Sequence, residues 1–323
     1  MNKKNMKLLL GISGFFSILV GSLIISFQAD ILDRFFSFAI QRSQIQSEIG
    51  TEHARVFSFF LLFFAISFLI AGIIFIGSLT NSLRNLIIKV FLTDDIGDPN
   101  SFFFKPIKII LLTAISGSIL MILYVFHVFF NLRALFVEDG IFESLTAIAF
   151  FSSSFFILKS ILLLRKKSTI WNKNEYKIIF IALVSIGIIF LFIALEEISW
   201  GQRIFGLETP SRLSQLNLQN ELNIHNIFTP VFREVYFSIG VLILLIMIIA
   251  PLIDRILCSS FYHHVFPHPD LIVLAYFIAF TSFIGAGELF EEMASLFSLI
   301  YSIRVFKLFR FTSDKLLVSV NNI

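Results

Sequence analysis

The chain has 323 residues, of which 57% are hydrophobic and only 15% charged, with a net charge of +3 and a mean hydropathy of +0.90. A soluble domain carries about a quarter charged residues, and here the apolar residues fall in blocks near the ~20 residues that cross a bilayer, so a soluble fold is excluded. A β-barrel would read as short alternating segments, and the single cysteine, Cys258, excludes an intrachain disulfide framework or a CxxC motif.

The expected fold is all-α. It is a polytopic helical membrane protein with about eight transmembrane helices in one integral membrane domain, residues 1–323. Lys3, Lys4 and Lys7 precede an uncharged run, Leu8–Phe27. A signal peptide has an apolar core of about 7–15 residues and small residues at its cleavage site. This run is longer and Phe27-Gln28-Ala29-Asp30 is a poor site, so it reads as a retained first helix. A second helix covers Val56–Leu79. Asp94-Asp95-Ile96-Gly97-Asp98-Pro99-Asn100 then reads as a turn, not a calcium loop, because the twelfth position is Lys105 and not Glu.

Further helices are expected at Ile109–Phe130, Ser144–Leu164 and Ile178–Leu195, the last ending on Glu196-Glu197. Ser152-Ser153-Ser154 has no obvious base and suits close helix packing. The stretch 198–234 is expected at the outer membrane surface, with Thr209-Pro210 as a helix start. From Leu216 to Ile227 the pattern fits either a period near two or a helical stripe of Asn217, Glu221 and His225; a short surface helix is the preferred reading. A sixth helix covers Val235–Ile253. His264-x-x-x-His268 has helical ligand spacing, but Pro267 and Pro269 predict a loop. The seventh helix is Leu271–Gly287. The apolar run Met293–Ile303 is too short to span unless it begins near Leu289 and its basic end snorkels; a re-entrant or interfacial segment is its alternative.

Orientation follows from placing every charge on this frame. With the N-terminus inside, 18 of the 25 basic residues and 7 of the 22 acidic residues lie on the inner face, and every lysine is among them. The positive-inside rule therefore predicts that both termini are cytoplasmic. Topology and anionic lipid account for the basic face, so no nucleic-acid partner is expected.

The outer face then carries three acidic groups: Glu138/Asp139/Glu143, Glu196/Glu197 and Glu288/Glu291/Glu292. The last three sit at i, i+3 and i+4, on one helix face. Acids at the start of a helix favour the macrodipole, but Glu196 and Glu197 close a helix, where it disfavours them. Carboxylates gathered at a low-dielectric boundary need protons, cations or hydrogen-bond donors. Glu196, Glu197, Glu143, Glu138 and Glu292 are the expected catalytic acids and bases. Trp200, Gln202, Arg203, Asn223, His225 and Asn226 are expected to bind substrate, although Trp200 alone also fits an interface anchor. A divalent metal is an alternative, with zinc on His53, His127 and His225, but no two of these share a local ligand spacing. No P-loop, GxSxG, HExxH or dinucleotide fingerprint occurs.

Glu138-Asp139-Gly140-x-x-Glu143, Glu196-Glu197-x-Ser199-Trp200-Gly201-Gln202-Arg203 and Asn217-x-Gln219-x-Glu221-x-Asn223-x-His225-Asn226 together resemble an uncharacterised group of bacterial multipass membrane proteins. The resemblance covers roughly the second half of the chain. It implies the cell inner membrane and a shared site, with no activity to carry over. The leading expectation is an enzyme acting on a lipid or lipid-linked substrate at the outer leaflet, with 209–233 as lid or floor. A proton- or ion-coupled transporter and a non-catalytic assembly or scaffold protein are the alternatives.

Overall fold

A computed structural model describes residues 3–33, 51–89, 98, 100–130, 140–166, 171–206, 208–210, 229–257, 264–284 and 286–320. Eight long helices run through them: α1 Lys3–Ser26, α2 Thr51–Gly77, α3 Pro106–Phe130, α4 Ile141–Lys166, α5 Lys173–Glu197, α6 Thr229–Leu257, α7 Ile272–Ile284 and α8 Gly287–Val320. No strand occurs among the described residues. Among the described residues, four segments are long and apolar enough to cross a membrane: Pro106–His127, Ile141–Lys166, Lys173–Glu197 and Glu234–Pro251. Gly11–Ser26, Leu61–Gly77 and Pro269–Phe283 are shorter apolar helices.

The chain gathers into two compact units. The first is Met1–Phe91 with Val128–Asn131, and the second is Leu92–His127 with Leu132–Ile323. In the first, α1 packs along α2. Gly14 and Gly72 bring the two backbones together: a Cβ built on either glycine would lie within 3.1 Å of the other's carbonyl oxygen. Gln28 Nε2 donates to Ser58 Oγ at 2.6 Å and to its carbonyl at 3.1 Å, fixing the pair's register.

In the second unit α4 packs against both α5 and α8, and α7 against both α6 and α8. Of the serines expected to serve packing, Ser153 is buried and Ser154 bonds to the neighbouring helix. Ser153 Oγ returns to the Ala149 carbonyl, and Ser154 Oγ reaches across to the Gly187 carbonyl on α5 at 2.9 Å. Asn172 starts α5 by accepting from the Glu175 amide at 2.8 Å, which satisfies one of the helix's free donors.

The last helix departs most from expectation. Instead of a short apolar run or a re-entrant segment, Gly287–Val320 is one helix of 34 residues. At ~1.5 Å per residue it is about 50 Å long, against a hydrocarbon core of about 30 Å. It is also enclosed along much of its length. Leu289, Met293, Phe297, Tyr301, Val305 and Leu308 are buried, as are Ser295, Ser298 and Ser302 on its other faces. A helix wrapped by protein need not be apolar all round, so its serines and cations hid it from a hydropathy reading.

Two of those cations, Arg304 and Lys307, have partners inside the fold. Arg304 pairs with the fully buried Asp270 at 3.2 Å, donates to the Phe103 carbonyl at 2.8 Å and lies over the Phe104 ring at 5.1 Å. Lys307 sits over Phe103 at 5.1 Å. The His264-x-x-x-His268 pair does not converge, as its prolines predicted. His264 is buried edge-on to Trp171, while His268 caps the Pro269–Leu271 turn by accepting from the Asp270 amide.

Candidate functional site

The site lies in the second unit, where α4, α5, α6 and α8 bring their ends together. The local chain at the end of α5 builds it. Ser199, Trp200 and Gly201 all have positive φ, at 46°, 55° and 76°. That left-handed turn stops the helix, and it is costly for Ser and Trp, which have a Cβ. Its effect is to fold the Trp200 indole back over the helix end. The indole N–H donates to Glu196 Oε1 at 2.6 Å, and its ring meets Phe192 edge-on at 5.6 Å. The following residues, Gln202–Phe205, form a single short helix, and Gln202 Nε2 donates to Thr209 Oγ1 at 2.7 Å.

Glu196 is buried and Glu197 half-buried. Glu197 lies in the electrostatic field of Glu291, Glu143, Glu292 and Glu288. These come from the first turn of α4 (Glu143) and the start of α8 (Glu288, Glu291, Glu292). Glu288 is exposed, whereas Glu292 is buried beside the Thr146 hydroxyl of α4. Glu291 accepts a hydrogen bond from the Tyr236 hydroxyl of α6, and the Tyr236 ring stacks on Phe290 at 4.7 Å.

Directly beneath these carboxylates is a cavity of about 340 Å³. Each wall is one helix face. Phe190, Ile193 and Glu197 come from α5; Tyr236, Ile239 and Ile243 from α6; Phe290, Glu291, Ala294, Phe297 and Ser298 from α8. The spacing i, i+3 or i+4, i+7 puts each set in a single stripe. The stripes are apolar along their length and end on Glu196, Glu197, Tyr236 and Glu291. On the open side, Ile189, Phe192, Val235 and Ile239 line the cavity and are exposed. The groove therefore offers a wall for a hydrocarbon chain and a carboxylate end for its head.

The expected residues divide as follows. Glu196 and Glu197 line the groove, with Glu143 and Glu292 close behind them. Trp200 and Gln202 are held by the fold's own hydrogen bonds, to Glu196 and Thr209. Arg203 sits on the short helix Gln202–Phe205. Glu138, Asn223, His225 and Asn226 fall outside the described residues, as does most of the expected surface segment. His127 lies in the last turn of α3 beside Tyr124; no three His, Cys, Asp or Glu among the described residues are grouped to hold a metal ion.

Two groove residues were missed as candidates. Glu291 was seen only as part of its acidic trio, and Tyr236 was not singled out. The available signal was the i, i+3, i+7 run Glu291, Ala294, Ser298, a small and polar stripe on one face of α8. Tyr236 left no comparable mark.

The chain matches no family model, no curated protein and no solved structure.

Proposed function

We propose that this chain is a membrane-embedded enzyme that carries out acid–base chemistry on a lipid or lipid-linked substrate at the outer leaflet. The observation that supports it is the groove itself: apolar along its walls, exposed on its open side and closed by Glu196, Glu197, Tyr236 and Glu291. Solvated loop acids have no reason to cap a hydrocarbon-sized cavity. In this reading Glu197 exchanges a proton with the substrate's head, and Glu291, held by Tyr236, serves as the second acid or base. Glu196 is a positioning residue that Trp200 locks in place. Glu143 and Glu292 stand around Glu197.

The wider reading is of eight spans with both termini in the cytoplasm of a bacterial inner membrane. The charge asymmetry supports the spans and their orientation, and the resemblance of the three motifs to bacterial multipass membrane proteins supports only the choice of membrane.

The test is the lipid content of cells that carry the protein. Mass spectrometry of whole lipid extracts should show a species that rises or falls with the wild-type protein. Its rate of change should drop by about 10²–10⁴-fold with Glu197→Gln, the usual contribution of a general acid or base. Lipid extracts identical with and without the protein would remove the enzyme. Proton- or ion-dependent uptake lost in Glu197→Gln would instead identify a carrier, and neither effect would leave a scaffold.

A further inference from the structure

We infer that the groove takes one hydrocarbon chain of an amphiphile whose head is a cationic amine. This rests on the groove being a lipid site, and it narrows the chemistry of the head.

The apolar part sets the tail. The lining runs from Val235 to Ile243 on α6 and from Phe290 to Ser298 on α8, about 12 Å along each helix. The cavity, at about 340 Å³, lies at the small end of ligand pockets, which suits one chain and not two. The exposed rim residues Ile189, Phe192, Val235 and Ile239 let that chain enter from the bilayer rather than from water.

The closed end sets the head. The described lining holds three carboxylates, Glu196, Glu197 and Glu291, and no Lys, Arg or His. Glu143, Glu288 and Glu292 stand around Glu197 and add to the same field. A phosphate or carboxylate head would bring one more negative charge into this group. A neutral hydroxyl would hydrogen-bond but leave the field uncompensated. An ammonium group supplies three donors and the compensating charge together. Tyr236, Phe290 and Phe192 line this end as well. Before the amphiphile binds, protons or small cations must fill that role, and the head displaces them.

The experiment uses the full-length protein in nanodiscs and a diazirine-bearing dodecylamine as photoprobe. Cross-linked residues are mapped by mass spectrometry. Dodecylamine, dodecanol and dodecyl phosphate then compete for the labelled positions. Labelling should fall on groove residues and be suppressed by Ala294→Trp and by the milder Ala294→Phe. Dodecylamine should compete about tenfold better than dodecanol, and dodecyl phosphate worst, a gap set by charge-assisted hydrogen bonds. Glu197→Gln and Glu291→Gln should each shrink the amine's advantage while dodecanol binding holds. If the three compete alike, or the amine's advantage survives both substitutions, the cationic head is wrong and the lipid groove stands. If labelling misses the groove, or ignores both Ala294 variants, the lipid groove itself fails and the inference goes with it.

Discussion

Replacing Arg304 by methionine isolates the contact that fixes the C-terminal half of α8. Arg304 lies thirteen residues below Glu291 on that helix, about 20 Å away. Its partner Asp270 has no exposed surface. Arg304→Met keeps most of the side chain's apolar length but leaves that carboxylate without its cation. Breaking one side of a buried pair costs about 3–5 kcal/mol, most of it the penalty for an uncompensated charge. The lost contact over Phe104 and the lost bond to the Phe103 carbonyl act in the same direction. Replacing both partners removes the stranded charge. Arg304→Met with Asp270→Leu should therefore recover more than half of the loss, as apolar replacements of buried pairs do. Reversible unfolding in mixed detergent micelles measures both variants. Stability of Arg304→Met within about 1 kcal/mol of wild type would refute the argument, since an exposed pair costs no more than that. So would a double variant weaker than the single one.

The other predictions concern the site and the topology. Tyr236→Phe should slow the lipid conversion described above while leaving the protein folded, because it removes only the donor to Glu291; an unchanged rate would take Glu291 out of the chemistry. Gly201→Ala should destabilise by about 1–2 kcal/mol, since φ there is 76° and the new Cβ would lie 2.9 Å from the Phe205 ring. A variant unfolding at the wild-type temperature would show that this turn carries no strain. In a Cys258→Ser background, a cysteine at Arg212 should react with an impermeant reagent from outside and one at Lys166 should not. Either result reversed would overturn the orientation.

The helical frame was legible because apolar block length is a property of each segment alone. A helix covers each of the eight expected stretches; α7 ends at Ile284 instead of Gly287, α8 runs to Val320 instead of Ile303, and elsewhere polar side chains continue a helix past its apolar stretch. Thr51–Arg55 extend α2 and Asp254–Leu257 extend α6 in this way. What hydropathy could not read was α8. Its burial depends on α4 and α7 wrapping it, and its cations depend on Asp270 and the Phe103 carbonyl, residues that are distant in sequence. Hydropathy scores how a residue meets lipid, and an enclosed helix meets little.

The site was half legible for a related reason. Two carboxylates at the C-terminal end of an apolar helix oppose its dipole, and that misfit pointed to Glu196 and Glu197 without any neighbour being known. Choosing among Glu288, Glu291 and Glu292 needed more. Adjacent residues on a helix point about 100° apart, so one step decides whether a carboxylate meets Thr146 on α4 or Tyr236 on α6. Nothing in α8 itself encodes where those helices stand. The structure puts Glu291 against the groove and Tyr236, Glu292 beside Thr146, and Glu288 in the open. The same dependence explains Trp200. As a sequence feature it fits an interfacial anchor. Only the left-handed turn at 199–201 shows that its indole N–H is spent on Glu196, which gives a strained backbone a reason to persist.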